Sequence, residues 1–391
     1  MSNTWIHTIQ AKLSRVTSGG RYIVEIDGLR FLAIMPVILQ HLSERMLKYF
    51  PQEISASYEG EFIPYVISRG SIGVLLFFAI SGFILALPFA KSFGQGKKPI
   101  PLGKYYSRRL TRIEPPYVFW MSIFALILLI KGIYSHQAII GHYLSSIFYV
   151  HYLVYQEFSV INPVAWSLEI EIQFYILAPL LAKLIFAKIP DKRRPLLLGI
   201  SILGWLVIMQ VAGWNRTPLK FTLLGQLPYF LIGFWVADWY LKRPKGEKKF
   251  ALVWDIIGIL SFVIMLFTWS EELPQTVAFL TSTALLMMSA FRSNLVGKFL
   301  RISWVSIIGG ICYTIYLTHL PLLELFLQFT KYLAVQGPYW QNLLIQGIVC
   351  IPVLLVLSSL FFLFTEKPFM QRNPFQQIWK RVTSVQLLSR E

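Results

Sequence analysis

Cysteine and acidic residues are scarce in this chain. Its 391 residues include two cysteines, and 19 Asp and Glu stand against 36 Lys and Arg. Cys312 and Cys350 both lie in apolar runs, and two such residues supply neither a disulfide framework nor a zinc site. Charged residues are only 14% of the chain and hydrophobic residues are 55%. This composition argues against a pair of soluble domains and favours a polytopic membrane protein.

The N-terminal segment lacks the apolar core and small-residue cleavage site of a signal peptide. We therefore expect residues 1–25 to form a cytoplasmic segment, residues 26–366 a membrane domain, and residues 367–391 a cytoplasmic tail. The chain shows no internal repeat of the kind found in many secondary transporters.

Ten segments are apolar and long enough, or nearly so, for the ~20 residues of a membrane-spanning helix. The sequence thus predicts an all-α fold, a polytopic membrane protein with about ten transmembrane helices and both termini cytoplasmic. The predicted spans are 29–47, 72–90, 116–130, 165–186, 196–213, 221–241, 252–269, 275–291, 305–328 and 342–364.

The distribution of positive charge supports this arrangement. With ten spans, 28 Lys and Arg fall in the segments assigned to the cytoplasm and 7 in the outer loops. Such an excess is the pattern of the positive-inside rule. It also accounts for the net charge of +17, since cytoplasmic cations face anionic lipids. Membrane lipids are therefore the expected partners of this charge, and nucleic acid is not required.

Three ionisable residues share one face of the first predicted helix. At about 100° per residue, Arg30 and His41 are roughly three full turns apart and point the same way, about 16 Å apart along the axis. Asp27 shares this face. Ionisable groups inside a membrane usually serve a pathway or a reaction. The aligned pair suggests a site, although Arg30 alone could be a flanking residue and His41 alone an interfacial one.

Three arginines, Arg108, Arg109 and Arg112, lie close together before the third span. Arg109 and Arg112 fall on one helix face, and guanidinium groups bind phosphate bidentately. A phosphorylated ligand and ordinary positive-inside flanking are both consistent with this cluster. Pro115 and Pro116 are expected to end the segment and restart the chain as the third span.

Carboxylates interrupt the fourth span. Glu169 shares a helix face with Gln173, and Glu171 with Tyr175. A carboxylate in a membrane helix is costly unless it is paired or faces a wet cavity, so an Arg or His on another helix is the expected partner. A structural ion pair and a place in a site both remain open. Glu366, at the inner end of the last span, is expected to pair with an arginine.

Polar residues also lie in the second and ninth spans. Ser81 and Gly82 would allow close helix packing or mark a break that lines a cavity, and packing is favoured. Tyr316 and His319 are candidate site-lining residues or hydrogen-bonded structural ones, and Pro321 is expected to kink their helix.

The long connection 131–163 carries three histidines in an aromatic, mostly apolar setting. We interpret it as a re-entrant or interfacial lid over the outer vestibule. His136, His142 and His151 are spaced by six and nine residues, which is not the i, i+4 spacing that places two ligands on one helix face. No metal site is predicted here.

Several motifs in order resemble those of the acyltransferase-3 family of integral membrane acyltransferases, which includes bacterial O-antigen and exopolysaccharide O-acetylases. The resemblance runs from IDGLR at residue 26 to FTEKPF at residue 364. The motifs are Arg30 with His41, GVLLFFAISGF (73–83), Arg109 with Arg112, WSLEIEIQFYILAP (166–179) and YTIYLTH (313–319).

The chain departs from the family pattern at two positions. Leu75 stands where the family often has Asp, and Ile172 replaces the second of two frequent Glu residues. Any role of those acids is absent here or is taken by Glu169. The chain is similar to the stand-alone form of the family, without the extracytoplasmic hydrolase-like domain of some members.

The resemblance implies transfer of an acyl group, most often acetyl, to a hydroxyl of a glycan or related acceptor. Acetyl-CoA or another acyl-CoA would be the donor substrate, with no permanently bound cofactor. His41 is the expected general base on the acceptor hydroxyl, with Glu171 or Asp27 setting its tautomer and Arg30 completing the catalytic set. A covalent relay through His41 or Ser81 is an alternative.

The residues expected to bind CoA or acceptor flank this catalytic set. They are Arg108, Arg109, Arg112, Ser81, Trp166, Tyr175, Tyr316 and His319. The expected location is the cytoplasmic (inner) membrane of a bacterium. The alternative function is a transporter or flippase of a glycan or lipid-linked substrate, because polar residues along a central path would look similar.

Overall fold

All secondary structure in the described part of the chain is helical. The computed structural model describes residues 10–14, 22–51, 61–94, 99–243 and 250–370. The predicted terminal segments, 1–25 and 367–391, lie mostly outside these residues, so the cytoplasmic placement of the two termini stays a prediction.

Fifteen α-helices make up the described fold, and all ten predicted spans coincide with helices among them. Short π-helical segments continue α7 through Ala187 and α15 through Glu366. The helices are α1 (Val24–Tyr49), α2 (Phe62–Ile67), α3 (Ile72–Gly94), α4 (Leu102–Lys131), α5 (His136–Ile147), α6 (His151–Tyr155), α7 (Trp166–Ala182), α8 (Arg194–Ala212), α9 (Leu223–Lys242), α10 (Ala251–Thr268), α11 (Leu273–Arg292), α12 (Leu295–Leu300), α13 (Ser303–Gly310), α14 (Cys312–Thr330) and α15 (Tyr339–Phe361).

The all-α membrane fold is confirmed, but the count of ten spans is not. Among the described residues, eight helices are long and apolar enough to cross a membrane, or nine if the bent pair α13–α14 is one span. Helix α9, the sixth predicted span, is not among them. Its 20 residues are mostly buried, so it forms an interior helix between α3, α7, α8 and α11.

The predicted break at Pro115 and Pro116 is wrong. Helix α4 begins at Leu102 and passes through both prolines to Lys131. The two prolines leave the carbonyls of Thr111 and Arg112 without their helical donors, and the following carbonyl, that of Ile113, accepts a hydrogen bond of 2.8 Å from the Tyr313 hydroxyl. Membrane helices tolerate such prolines where neighbouring helices and local adjustments satisfy the freed carbonyls. The arginine cluster therefore belongs to the same helix as the third span.

The ninth span bends at Ile311, which the sequence did not predict, and the kink at Pro321 stays a prediction. Helices α13 and α14 meet there at 73°, where Gly309 packs against the backbone of Asp27 on α1. Pro321 removes the helical hydrogen bond to the Leu317 carbonyl. That carbonyl instead accepts from the side-chain amide of Asn162 at 3.0 Å. Helix α14 thus continues through the proline.

The same arrangement recurs at Pro179 in α7 and Pro228 in α9. Each proline leaves the carbonyl four residues earlier without its helical donor, and a side chain from another helix donates to that carbonyl. The donors and carbonyls are the Tyr105 hydroxyl with Tyr175 at 3.1 Å and the Trp205 indole N–H with Leu224 at 3.0 Å.

Helices α3 and α9 pack with their backbones in close contact at two glycines. A Cβ on Gly82 would collide with the carbonyl of Phe230, and one on Gly233 with the carbonyl of Ala79. Small residues allow this approach between membrane helices. The packing role predicted for Ser81–Gly82 is confirmed, and α3 runs through both residues without a break.

We expect Gly233→Ala to lower stability by about 1–3 kcal/mol, the usual cost of overpacking a filled interior. The measurement is the unfolding temperature of the purified protein in lipid nanodiscs. Gly204→Ala in α8 is the matched control, because a Cβ there would have no neighbour within 4 Å. Equal unfolding temperatures for the two variants would contradict the close contact.

Candidate active site

Two cavities lie inside the bundle and share part of their walls. The arginine cavity, of about 100 Å³, contains Arg30, Arg109 and Arg112 in its lining. The histidine cavity, of about 780 Å³, contains His41 and Trp166. Both cavities include four of the same residues in their linings, so they adjoin. The shared residues are Val37, Val74, Ser167 and Tyr316.

The three arginines of the arginine cavity differ in their partners. The Arg30 guanidinium donates to the Asp27 carboxylate at 2.6 Å. Arg112 lies 3.5 Å from the Glu366 carboxylate, which confirms the predicted pairing of that acid with an arginine. Among the described residues, Arg109 has no carboxylate within ion-pair distance. Arg109 is therefore the cation in this cavity that is available to an anionic ligand.

Glu171 has hydroxyl partners instead of the predicted Arg or His. The hydroxyls of Ser81 and Tyr175 both donate to its Oε1 at 2.5 Å. Arg109 lies over the Tyr175 ring, 5.6 Å from the centroid, and interacts with Glu171 only through longer-range electrostatics. Ser81, Tyr175 and Glu171 form one hydrogen-bonded group on the wall of the arginine cavity.

Arg108 does not lie with the other two arginines. Its side chain is exposed, and it lines neither cavity. On an α-helix adjacent residues point about 100° apart, so Arg108 cannot share the inward face of Arg109. Its prediction as a binding residue is not supported by this geometry.

Glu169 is a structural group and not part of either cavity. It is buried, and its carboxylate accepts from the backbone N–H of Tyr152 at 3.1 Å. Carboxylates near a helix N-terminus satisfy N–H groups that have no helical partner. Glu169 therefore fixes helix α6 on α7. Neither the predicted ion pair nor a place in a site is found for it.

His41 has a carboxylate partner on its own helix. Its Nδ1 lies 2.9 Å from the Glu44 carboxylate. Because a carboxylate accepts, Nδ1 carries a proton, and in the neutral imidazole Nε2 is the acceptor atom. The side-chain amide of Gln40 donates to Glu44 at 2.8 Å, and the backbone N–H of Ser71 donates to Gln40 at 2.6 Å. This chain of contacts fixes the ring.

The carboxylates predicted to set the His41 tautomer lie elsewhere. Asp27 pairs with Arg30, about 21 Å along the helix from His41 at ~1.5 Å per residue. Glu171 is bonded to Ser81 and Tyr175. Glu44 takes this position, three residues after His41 on the same helix face.

His319 packs against His41 but lines neither cavity. The two ring centroids are 5.2 Å apart, and His319 is fully buried. Its Nδ1 donates to the carbonyl of Tyr316 at 2.8 Å, so its Nε2 is the acceptor atom. No described residue hydrogen-bonds to that Nε2. His319 thus supports His41 through ring contact.

Ser167 and Tyr316 lie at the junction of the two cavities. The Ser167 hydroxyl donates to the Tyr316 hydroxyl at 3.1 Å, and the Tyr316 hydroxyl donates to the carbonyl of Val164. Both polar groups face the point where the arginine cavity meets the histidine cavity. Trp166, next to Ser167, lies on the histidine side only.

The connection 131–163 packs on the bundle near the histidine cavity. Phe158 and Pro163 are part of the cavity lining. His142 Nδ1 and His151 Nε2 lie 2.7 Å apart, in a hydrogen bond between two buried rings. The Tyr155 ring stacks on both. His136 is exposed. The connection therefore contains two short helices, α5 and α6, held together by an aromatic cluster, and its role as a lid stays a prediction.

A protein-family model described as an acyltransferase domain, that of the acyltransferase-3 family, matches residues 23–363. The chain belongs to this family. The match spans every helix from α1 to α15 in full. The resemblance inferred from the motifs is confirmed.

Curated relatives carry O-acetyltransferase names. The chain is 26% identical over 330 residues to O-acetyltransferase OatA of Staphylococcus aureus (strain NCTC 8325 / PS 47), covering 78% of this chain and 51% of that protein. It is 25% identical over 391 residues to peptidoglycan O-acetyltransferase OatA of Listeria monocytogenes, covering 92% and 57%. The chain thus spans about half the length of these relatives. No solved structure matches it.

Two residues of the candidate site were not predicted from the sequence. Glu44 was overlooked although its i, i+3 spacing from His41 was visible. Cys312, which the sequence shows only as part of an apolar run, lines the arginine cavity together with Tyr313. The sequence around Cys312 and Tyr313 does not distinguish the inward face of α14 from the face that contacts lipid.

Stability is expected to fall as the pH drops from about 6.5 to 4. Burial, followed by the neighbouring His142, lowers the pKa of His151 from 6.5 to about 4. In that window the unfolded chain takes up a proton that the folded chain refuses, and folding is disfavoured. Unfolding temperatures measured across this window test the effect. His151→Phe, which keeps an aromatic ring beside Tyr155, should show a shallower fall, and an unchanged slope would contradict the assignment.

Proposed function

We propose that this acyltransferase moves an acyl group, in the simplest case acetyl, from cytoplasmic acyl-CoA to a hydroxyl of a cell-surface glycan or related acceptor. The observation that carries the proposal is the pair of adjoining cavities, one with unpaired positive charge and one with an oriented histidine. The O-acetyltransferase names of the relatives support acetyl, and the Listeria name supports peptidoglycan as one acceptor class. The proposed location is the inner membrane of a bacterium.

The arginine cavity is proposed to receive the donor. Arg109 supplies a guanidinium for a CoA phosphate, because phosphate and guanidinium form charge-assisted, bidentate hydrogen bonds. Arg30 and Arg112 already hold carboxylates and contribute positive field. The apolar side chains of Val74 and Phe78 line the remainder. A cavity of about 100 Å³ suits a slender thioester arm.

His41 is proposed to be the general base on the acceptor side. Its Nε2 takes the proton of the acceptor hydroxyl while the oxygen attacks the thioester carbonyl near the cavity junction. The carbon–sulfur bond then breaks, and the CoA thiolate receives the proton from His41. Glu44 holds Nδ1–H and stabilises the imidazolium that forms between these two proton transfers.

We expect His41→Ala to lower acyl transfer at least about a hundredfold, the usual contribution of a general base. The measurement is consumption of acetyl-CoA thioester by purified protein in nanodiscs, with mass spectrometry of the acceptor. His136→Ala is the matched control, since His136 is exposed on the lid. Retained turnover in a folded His41→Ala variant would remove His41 from this role.

The same assay separates an enzyme from a transporter or flippase. Thioester consumption that depends on His41 supports acyl transfer. Flux of a glycan or lipid-linked substrate across the bilayer without thioester consumption would overturn the proposal in favour of transport.

Arg109→Ala should weaken CoA binding about 10- to 100-fold, because a hydrogen bond between charged groups contributes about 1.5–3 kcal/mol. Calorimetric titration of CoA into nanodiscs measures this change. Arg108→Ala is the control on the neighbouring position, where the side chain is exposed and outside the cavity. Equal losses in both variants would indicate a general charge effect, and no loss in Arg109→Ala would exclude the contact.

A further inference from the structure

One wall of the histidine cavity is a preorganised polar surface that the proposed chemistry does not use. This acceptor wall consists of Asn215, Lys220, Gln226, Trp269 and Glu271, all of which line the cavity. Asn215 and Lys220 lie in the connection between α8 and α9, and Gln226 lies in the first turn of α9. Trp269 and Glu271 lie in the connection between α10 and α11. His41 and Glu44 belong to α1, so the wall is separate from the helix that carries the base.

The acceptor wall is tied together by its own hydrogen bonds. The Asn215 amide donates to the carbonyl of Glu271 at 2.8 Å. Lys220 pairs with the Glu271 carboxylate at 2.7 Å, and the Gln226 amide donates to the carbonyl of Lys220 at 2.6 Å. Together with a bond of 3.0 Å from the Asn215 amide to Gln210, these bonds engage the amide nitrogens of both Asn215 and Gln226. The two amide oxygens take no part in them.

Both amide oxygens are buried without a hydrogen-bond partner among the described residues. They are Asn215 Oδ1 and Gln226 Oε1. Gln226 is 4% exposed, so its oxygen is removed from bulk solvent. A buried acceptor without a donor is unfavourable, and such groups in native proteins call for an explanation such as a ligand. Two acceptors on one cavity wall match a ligand that brings two donors.

Aromatic side chains line the same cavity as these oxygens. The Lys220 ammonium lies 5.5 Å from the Trp269 ring centroid and 5.6 Å from that of Phe221. The Phe221 ring meets the Trp166 ring edge to face at 4.9 Å. Ligand sites commonly combine such apolar surfaces with a few placed polar groups. A sugar ring presents the complementary chemistry, with C–H groups on its faces and hydroxyl donors on its edge.

We propose that the acceptor wall is the subsite that holds the acceptor, with Gln226 Oε1 and Asn215 Oδ1 accepting from two non-reacting hydroxyls of a sugar ring. Lys220 and Glu271 neutralise each other, so the wall selects by hydroxyl position and not by charge. This inference rests on the proposed function in one respect. The bound sugar presents a further hydroxyl to His41, and the proposed reaction acylates that hydroxyl. The two residues are specificity-determining, because an acceptor without these hydroxyls leaves both oxygens unpaired.

Direct binding tests the subsite independently of catalysis. Chitotetraose, cellotetraose and maltotetraose are titrated calorimetrically into the full chain in nanodiscs, because maltoside detergents would compete through their sugar head groups. We expect at least one tetrasaccharide to bind, and Gln226→Met to weaken it about tenfold, the effect of one lost hydrogen bond. Asn215→Leu should also weaken tetrasaccharide binding about tenfold. It should disturb folding less, because Asn215 is partly exposed.

Gln346→Met is the matched control for the glutamine change. Gln346 is also buried, but its amide is bonded to the Thr330 carbonyl at 2.9 Å and it lines neither cavity. This variant should bind like the parent. Binding of none of the tetrasaccharides, or equal binding by all variants, overturns the subsite. Glycerol binding as tightly as the tetrasaccharides would also overturn it, in favour of a lipid head group.

The outcomes separate this inference from the proposed function. If the variants lose sugar binding while acetyl-CoA thioester is never consumed, the subsite stands and acyl transfer fails. If thioester consumption depends on His41 but all variants bind sugar equally, acyl transfer stands and the subsite fails. For the active protein, the variants should raise the KM for the tetrasaccharide about tenfold with little change in kcat.

Discussion

Hydrocarbon supplies no hydrogen-bond partners, so each polar group in a membrane helix must be paired inside the protein or face a cavity. This constraint divides the ionisable residues into those that are paired inside the protein and those that line a cavity. Arg194 is buried and bonds Asp238 at 2.7 Å together with three backbone carbonyls, which is a complete structural pairing. Glu169 is satisfied by a helix N-terminus. Arg109 and His41 instead line cavities, and they are the residues to which chemistry is assigned.

The two cavities present different chemical groups on either side of the residues they share. The proposed donor would use the positive charge around Arg109, and the proposed general base, His41, lines the other cavity. About 16 Å of α1 separates Arg30 from His41 at ~1.5 Å per residue, and the junction between them is walled by Val37, Val74, Ser167 and Tyr316. This separation lets one helix present both environments.

Sequence reasoning succeeded where the signal is local. Apolar runs located every long helix, and the spacing of Arg30 and His41 placed each in the lining of a cavity. It failed where a partner comes from a distant helix. Asn162, more than 150 positions away from Pro321, satisfies the carbonyl that this proline frees in α14. Glu171 bonds Ser81 across 90 positions. Glu44 is different, because its partner, His41, is close in sequence. The prediction assigned its role to Asp27 or Glu171 and overlooked the carboxylate on the same helix face.

The prolines inside α7, α9 and α14 have a consequence for how the bundle assembles. Each one creates a carbonyl that no residue of its own helix can satisfy, and a single donor on another segment completes it. A helix pair that associates one turn out of register would leave that oxygen bare in the membrane, at several kcal/mol. Helices can therefore insert one by one, but only the native register is free of this penalty. Each proline therefore selects against incorrectly paired helices during folding, because it leaves a carbonyl that only the native neighbour can satisfy.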